Sequence, residues 1–382
     1  MSEHDKKILV SDLSYDDDEV EAVVSVLRSE WLTMGPKTAE FEGELAKYLG
    51  VKHVVAVSNG TAALHVGLLS LGIGPGDEVI VTPMSFVASS NAVLYTGAKS
   101  VFVDIDSDTF NIDPQLIEAA ITPRTKAILP VHVAGLPAEM NEITRIAKDH
   151  DLLVLDDAAH AIGAQYRNRK VGSLADMTAF SFFSNKNLSV GEGGAIATNS
   201  DTYAEKARLL RSHGLTKSTW SRHHDGAQES FDQLYDMVEL GYNYRMTEMA
   251  AALGLVQLRK LDTFNKRRTE VYALYKENAQ DLPLTMQSIP KYVKHTHHVL
   301  PVLVPDGRRA DLRARLQEEE IGTSIHYTPI HRFSYYRRIG YGSTILPKAE
   351  EVGKRVVTLP LHQKMTDADV GRVIRALRHW LH

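Results

Sequence analysis

Between Lys52 and about Thr198, short β-rich apolar runs alternate with stretches whose apolar residues recur at the helical period. The runs fall at 54–57, 79–81, 100–103, 127–130, 152–155 and 178–183, with a further short one at 195–198. Leu152-Leu153-Val154-Leu155 is apolar throughout rather than alternating, as a strand is when helices cover both faces of a parallel sheet. The pattern predicts an α/β fold. After Gly241 it changes. A long helical stretch from about Thr247 through Tyr275, an apolar run at 299–304, a charged helix at 308–320 and a last helix near the C-terminus predict a smaller α+β unit. The expected division is a large domain over residues 20–245 and a small one over 246–382, with residues 1–19 packing with the small one. Residues 215–236 are polar and aperiodic and carry His223 and His224 beside Gly226, so this stretch is expected to be functional or mobile.

A chain of 382 residues exceeds the usual reach of one simple core, which agrees with two domains and a cleft between them. Hydrophobic residues at 43% and charged residues at 24% leave enough apolar material for a sizeable core and exclude wholesale disorder. Lys and Arg number 43 against 48 Asp and Glu, a formal charge of -5 without a long basic block, so neither nucleic acid nor a membrane surface is an expected partner. The absence of cysteine excludes disulfides, thiolate metal sites and a cysteine nucleophile. The polar start Met1-Ser2-Glu3-His4-Asp5 has no apolar signal core and no run approaches membrane-spanning length; the expected compartment is the cytoplasm.

Three segments carry candidate chemistry. Ser58-Asn59-Gly60-Thr61 follows the run at 54–57 and opens a helix, where backbone N–H groups and the helix dipole make either an anion site or an ordinary N-cap. The chain has no Walker lysine here and no G-x-G-x-x-G, so a nucleotide P-loop and a Rossmann turn are not supported. Asp156-Asp157-Ala158-Ala159-His160 lies at the end of the run at 152–155, where open α/β sheets bind ligands. One of its carboxylates is placed to face a cationic ring, or else to cap the next helix. The apolar run at 178–183 leads into Lys186 and then Gly191-Glu192-Gly193-Gly194. A lysine at the mouth of such a strand can be desolvated, which favours the neutral, nucleophilic amine.

Taken together, Ser58 to Leu64, Asp157 with His160, Ser181 with Lys186-Asn187, the glycine run 191–194, Ser212-His213-Gly214 and Gly241-Tyr242-Asn243-Tyr244-Arg245 resemble the sugar-nucleotide aminotransferases, the DegT/ArnB-like 4-amino-sugar enzymes of fold type I that depend on pyridoxal 5'-phosphate (PLP). The resemblance runs in order from Thr33-Met34-Gly35-Pro36 to Ile321 through Tyr327. It implies a large domain with a mostly parallel seven-stranded sheet between helices. It further implies that Lys186 anchors PLP covalently and carries protons, while Asp157 pairs with the pyridinium nitrogen. Gly60, Thr61 and Ser181 would hold the phosphate, Phe86 would stack on the ring, and His160 would lie near the ring's 3-hydroxyl. Asn243 would reach the phosphate in the neighbouring subunit, which makes the enzyme a homodimer with shared sites. Thr33, Arg245, His326 and His331, with cations near Arg222, are candidates for the sugar substrate.

The chain departs from the family pattern at Asp156, where Glu is usual, and at Ser184-Asn185, where many members have Pro-Thr. Lys186 itself sets it apart from relatives that carry histidine there and dehydrate instead. His295, His297 and His298 lack carboxylates at matching spacing, so no metal is expected. The implied reaction converts a UDP- or dTDP-linked 4-keto sugar to the 4-amino sugar with L-glutamate as donor, passing through pyridoxamine 5'-phosphate (PMP). His160 and the run from Thr33 lean to C4. A 3-keto-sugar aminotransferase and a PLP-holding regulator without turnover are the alternatives.

Overall fold

A computed structural model describes residues 7–217, 220 and 235–381. His223, His224, Gly226 and Arg222 lie outside the described residues. The main-sheet strands are β1 (His53–Val57), β2 (Glu78–Val81), β3 (Lys99–Phe102), β4 (Thr125–Leu129) and β5 (Leu153–Asp157). After a short hairpin, β6 (Gln165–Tyr166) and β7 (Arg169–Lys170), the sheet is completed by β8 (Met177–Ser181) and β9 (Gly194–Thr198). These form a seven-stranded sheet in the order β1-β9-β8-β5-β4-β2-β3. β2, β3, β4, β5 and β8 pair in parallel, and β9 runs against both its neighbours.

The continuous apolar runs are explained by burial on both sides. Val55, Val57, Val79, Leu129, Leu155 and Ala179 belong to one core, with the helix Gly60–Ser70 packed over it. Their strand neighbours Val54, Ala56, Ile80, Ile128, Val154 and Phe180 belong to another, with Phe41 and Leu45 of the helix Pro36–Leu49 and Ile143 and Ile146 of the helix Met140–Asp149. Because strand side chains alternate in direction, each residue step moves from one core to the other.

The helix Glu248–Asn278 gives Ala250, Ala251, Leu255 and Leu261 to the second of these cores. It then gives Val271 and Tyr275 to a third core, with Ile8 and the C-terminal helix Asp367–Leu381. That third core lies on a three-stranded antiparallel sheet formed by β10 (Thr285–Met286), β12 (Leu300–Leu303) and β13 (Val356–Leu359), while β11 (Val293–Lys294) pairs with β6. At its start the long helix serves a neighbour: the Glu248 carboxylate accepts from the N–H groups of Gly35, Lys37 and Thr38 at 2.7–2.9 Å, capping the helix Pro36–Leu49. Among the described residues no helix is long and apolar enough to cross a membrane.

Two expected boundaries shift for a physical reason. The run at 178–183 stops being a strand at Ser181, because pairing with β9 ends at Ser181 opposite Gly194. Phe182 is fully buried, Phe183 turns out to solvent, and Lys186 N–H closes a turn on the Phe183 carbonyl at 2.8 Å. Conversely β5 runs two residues beyond its apolar stretch, so Asp156 and Asp157 are its last residues.

Candidate active site

The strand register brings the three chemical segments to one edge. Val57 lies opposite Gly194, Gly194 opposite Ser181, and Asp157 opposite Ala179 in the neighbouring pair. The result is a cleft of about 610 Å³ lined by Gly60, Thr61, Phe86, Asp157, His160, Ser181 and Lys186. Its position past the carboxyl ends of the parallel strands is where such sheets bind ligands.

Alternation decides between the two aspartates. Asp157 lines the cleft, and Asp156 points to the opposite face, where its Oδ2 meets His132 Nε2 at 3.1 Å. His132 Nδ1 accepts from Ala138 N–H at 3.1 Å, so Nε2 carries the proton given to Asp156. Asp157 is held by a different set: Ser89 Oγ donates to its Oδ2 at 2.7 Å and the Ala159 N–H to its Oδ1 at 3.0 Å. Since the hydroxyl of Ser89 is spent on the carboxylate, the 2.7 Å contact between Ser85 and Ser89 has Ser85 as donor. Burial pushes the Asp157 carboxyl up, opposed by Ser89, the Ala159 N–H and the positive charge of Lys186.

Lys186 lines the cleft from the turn after β8. Atoms crowded around its amine desolvate it although part of the side chain stays open to the cleft. Burial pushes the amine down to about 8, with Asp157 pulling the other way. A lysine in that range supplies neutral amine near neutrality and can take up a proton again.

Gly60 opens its helix with Asn59 as cap, the Asn59 Oδ1 accepting from Ala62 N–H at 2.8 Å. A Cβ at Gly60 would lie 2.7 Å from Ser181 Cβ, and one at Gly194 would lie 2.5 Å from the Asn59 carbonyl. Only glycine allows this close approach, which sets the first-turn N–H groups beside the Ser181 hydroxyl as an anion cradle. Phe86 lines the cleft and is 60% exposed, a large apolar ring left without a covering group in this chain.

His160 is buried, and burial, then the nearby Lys186, pushes its imidazolium well below the ordinary range, so the ring is neutral. Its Nε2 meets the Tyr327 hydroxyl at 2.9 Å, while its Nδ1 is buried without a protein partner. Tyr327 carries no sequence signal of its own, yet it lines the cleft beside His326. His326 Nδ1 is 2.8 Å from Thr358 Oγ1, and burial pushes its pKa down to about 4. Ser89, which holds Asp157, and Ser85 and Tyr327, which line the cleft, were given no role from the sequence.

Other expected residues lie elsewhere. His331 is drawn away from the cleft mouth because Ile330 packs into the first core and its N–H bonds the Pro83 carbonyl at 2.9 Å. His331 is consequently buried, with Nε2 3.2 Å from Glu350. Arg245 donates to Ser212 Oγ at 3.2 Å, and neither it nor Thr33, which is exposed ahead of the helix Pro36–Leu49, lines the cleft. Asn243 is exposed and lines no part of this chain's cleft. Among the described residues no group of three or more His, Asp or Glu is gathered as a metal site.

A low-pKa lysine, a buried carboxylate, an anion cradle and an exposed aromatic ring around one cleft suit a flat cationic ring that carries a phosphate and an aldehyde. The residues fit PLP: the cradle would be filled by a Cβ at Gly60, and the orphaned His160 Nδ1 awaits a polar partner. This is the class of fold type I PLP enzymes.

Comparison with known proteins agrees. Residues 14–378 match the DegT/DnrJ/EryC1/StrS aminotransferase family. The spore coat polysaccharide biosynthesis protein SpsC of Bacillus subtilis is 42% identical over 94% of this chain and 94% of its own. A Streptococcus pneumoniae protein solved in its PMP form superposes with a TM-score of 0.91 at 32% identity over 97% of this chain and 98% of that one. DesV of S. venezuelae does so at 0.90 and 35% identity over 98% and 99%. The chain belongs to the DegT/DnrJ/EryC1/StrS aminotransferase family and is a PLP-dependent aminotransferase.

Proposed function

We propose that this chain is a sugar aminotransferase that moves the amino group of L-glutamate to the keto carbon of a UDP- or dTDP-linked 4-keto sugar, giving the 4-amino sugar. The polysaccharide role in the name of SpsC supports a sugar substrate. The observation that carries the chemistry is the Lys186 amine, desolvated and facing the same cleft as Asp157 and the Gly60–Ser181 cradle.

Bound PLP supplies an electron sink that stabilises charge developing on the substrate carbon. Lys186 would hold the cofactor covalently at rest. Freed by the incoming amino donor, its Nζ takes a proton from the donor's α-carbon and later returns one to the sugar carbon. Asp157, oriented by Ser89, keeps the proton on the ring nitrogen. Gly60, Thr61 and Ser181 would hold the phosphate, Phe86 would cover the ring, and neutral His160 would offer its unpartnered nitrogen to a polar group of the cofactor. His326, which lines the same cleft, is assigned to the sugar substrate.

The working unit in this proposal is a homodimer, in which Asn243 reaches the phosphate bound by the other subunit. Its exposure, and that of Phe86, Tyr95, Met237, Val238 and Leu240, supports a covering partner. The test is an amino-transfer assay with isomeric 4-keto and 3-keto nucleotide sugars and glutamate. The proposal expects a clear preference for the 4-keto isomer; a preference for the 3-keto isomer would replace it with C3 amination.

A further inference from the structure

His298 lies outside the cleft lining, yet it is tied to both of the groups that flank the cofactor in the proposed reaction. Asn187, the neighbour of Lys186, is buried with its amide fully committed. Its Nδ2 donates to Asn265 Oδ1 at 2.7 Å and to the Thr296 carbonyl at 2.9 Å. Both amide hydrogens are thereby used, and Asn187 Oδ1 can only accept, so the 3.0 Å contact with His298 Nδ1 fixes the proton on that nitrogen. Asn265 in turn donates to the Ile162 carbonyl at 3.1 Å, so the network joins the long helix to both active-site loops.

A face of the same ring meets His160. The two imidazoles stack with centroids 4.5 Å apart and planes 28° from parallel. The backbone under His298 is pinned as well: its N–H donates to the Ala134 carbonyl at 2.9 Å, and its carbonyl accepts from Arg268 Nη1 at 3.0 Å. Arg268 is buried and donates through Nη1 to the carbonyls of His297, His298 and Leu361. Burial, then the charges of Lys186, His160, Arg268 and His326, pushes the His298 imidazolium well below its ordinary range and keeps the ring neutral.

We propose that His298 is a positioning residue of the amino-transfer site: its Nδ1–H fixes the Lys186 turn through Asn187, and its ring face fixes the plane of His160. The inference rests on the reading that Lys186 and His160 face the cofactor. It separates the two roles by chemistry. His298→Asn keeps a donor near the Nδ1 position and loses the ring; His298→Phe keeps the ring and loses the donor.

The experiment compares both variants with wild type, loaded with PLP. It records the pH titration of the cofactor's visible absorbance, the dissociation constant of PMP from fluorescence quenching, and the melting temperature. His298→Phe is expected to shift the pH midpoint of the chromophore while leaving PMP affinity near wild type, because the lysine turn alone is released. His298→Asn is expected to weaken PMP about tenfold, the scale of one misplaced buried hydrogen bond, with the midpoint unchanged. Equal losses in both variants, or lowered melting temperatures with wild-type spectra and PMP affinity, would make His298 a packing residue and overturn the proposal. If a variant does not fold, imidazole ¹⁵N spectra of the histidine-labelled holoenzyme decide: a His298 proton on Nδ1 supports the proposal and one on Nε2 overturns it. Failure of the underlying reading would show separately, as borohydride labelling of a lysine other than Lys186 in wild type.

Discussion

The edge of the seven-stranded sheet and the C-terminal three-stranded lobe use polar groups in opposite ways. In the lobe the interior is apolar, with Leu300, Val302, Val357 and Leu377 nearly inaccessible. Its exposed charges form open pairs at the rim, such as Arg378 with Asp281 at 2.8 Å. Such pairs contribute little because water screens them. At the sheet edge Lys186 and Asp157 are desolvated, and both are displaced from their ordinary pKa by burial. His160 keeps a buried nitrogen without a protein partner. Buried polar atoms without a protein partner occur elsewhere too, at Tyr275 and His362 for instance, but here a desolvated amine, a desolvated carboxylate and an orphaned imidazole nitrogen line one cleft, which marks it as the place of chemistry.

The contrast is broken most severely at the lysine. Lys186→Ala should lower amino transfer by at least about 10³-fold, the scale of a lost general base, in initial-rate assays. The melting temperature of the apoprotein should not fall, because a costly buried amine is removed. Asp157→Asn comes next: turnover and PLP affinity should fall on the order of 10²-fold, as expected when one member of a buried charge pair is lost. Retention of wild-type affinity in this variant would move the ring nitrogen away from Asp157.

A gentler probe is pH. With the Lys186 amine at about 8, the reactive neutral form grows as pH rises through that value. Capture of PLP by apoprotein, followed by stopped-flow absorbance, should therefore speed up about tenfold from pH 7 to pH 9. A rise of about a hundredfold across this window, as an amine at the ordinary 10.5 would give, would mean that the amine is not desolvated. The smallest effect belongs to the lobe: Arg378→Ala should change unfolding free energy by less than about 1 kcal/mol and leave turnover unaltered.

Much of the sheet was legible because burial on both faces writes an unbroken apolar run, as at 152–155, and because Asp157 and Ser181 end their strands while Gly60 and Lys186 lie just past strand ends. What escaped depended on contacts between distant segments. Ser89 is 68 residues from the carboxylate it orients, and nothing in its local pattern separates it from any helix serine. Tyr327 is 167 residues from His160. His298 read as one of a histidine cluster without metal spacing, and its role depends on a ring face and a tautomer that no spacing records. His331 went astray for the converse reason: its neighbour Ile330 had a stronger claim on the core than the histidine had on the cleft.

The central claim is that Lys186 is the covalent holder of PLP at this edge. Borohydride reduction of the PLP-loaded enzyme, followed by proteolysis and mass spectrometry, tests it directly. The phosphopyridoxyl mass should appear on the peptide containing Lys186 and disappear in Lys186→Ala. Its appearance on any other lysine, or its persistence in the variant, would contradict the account.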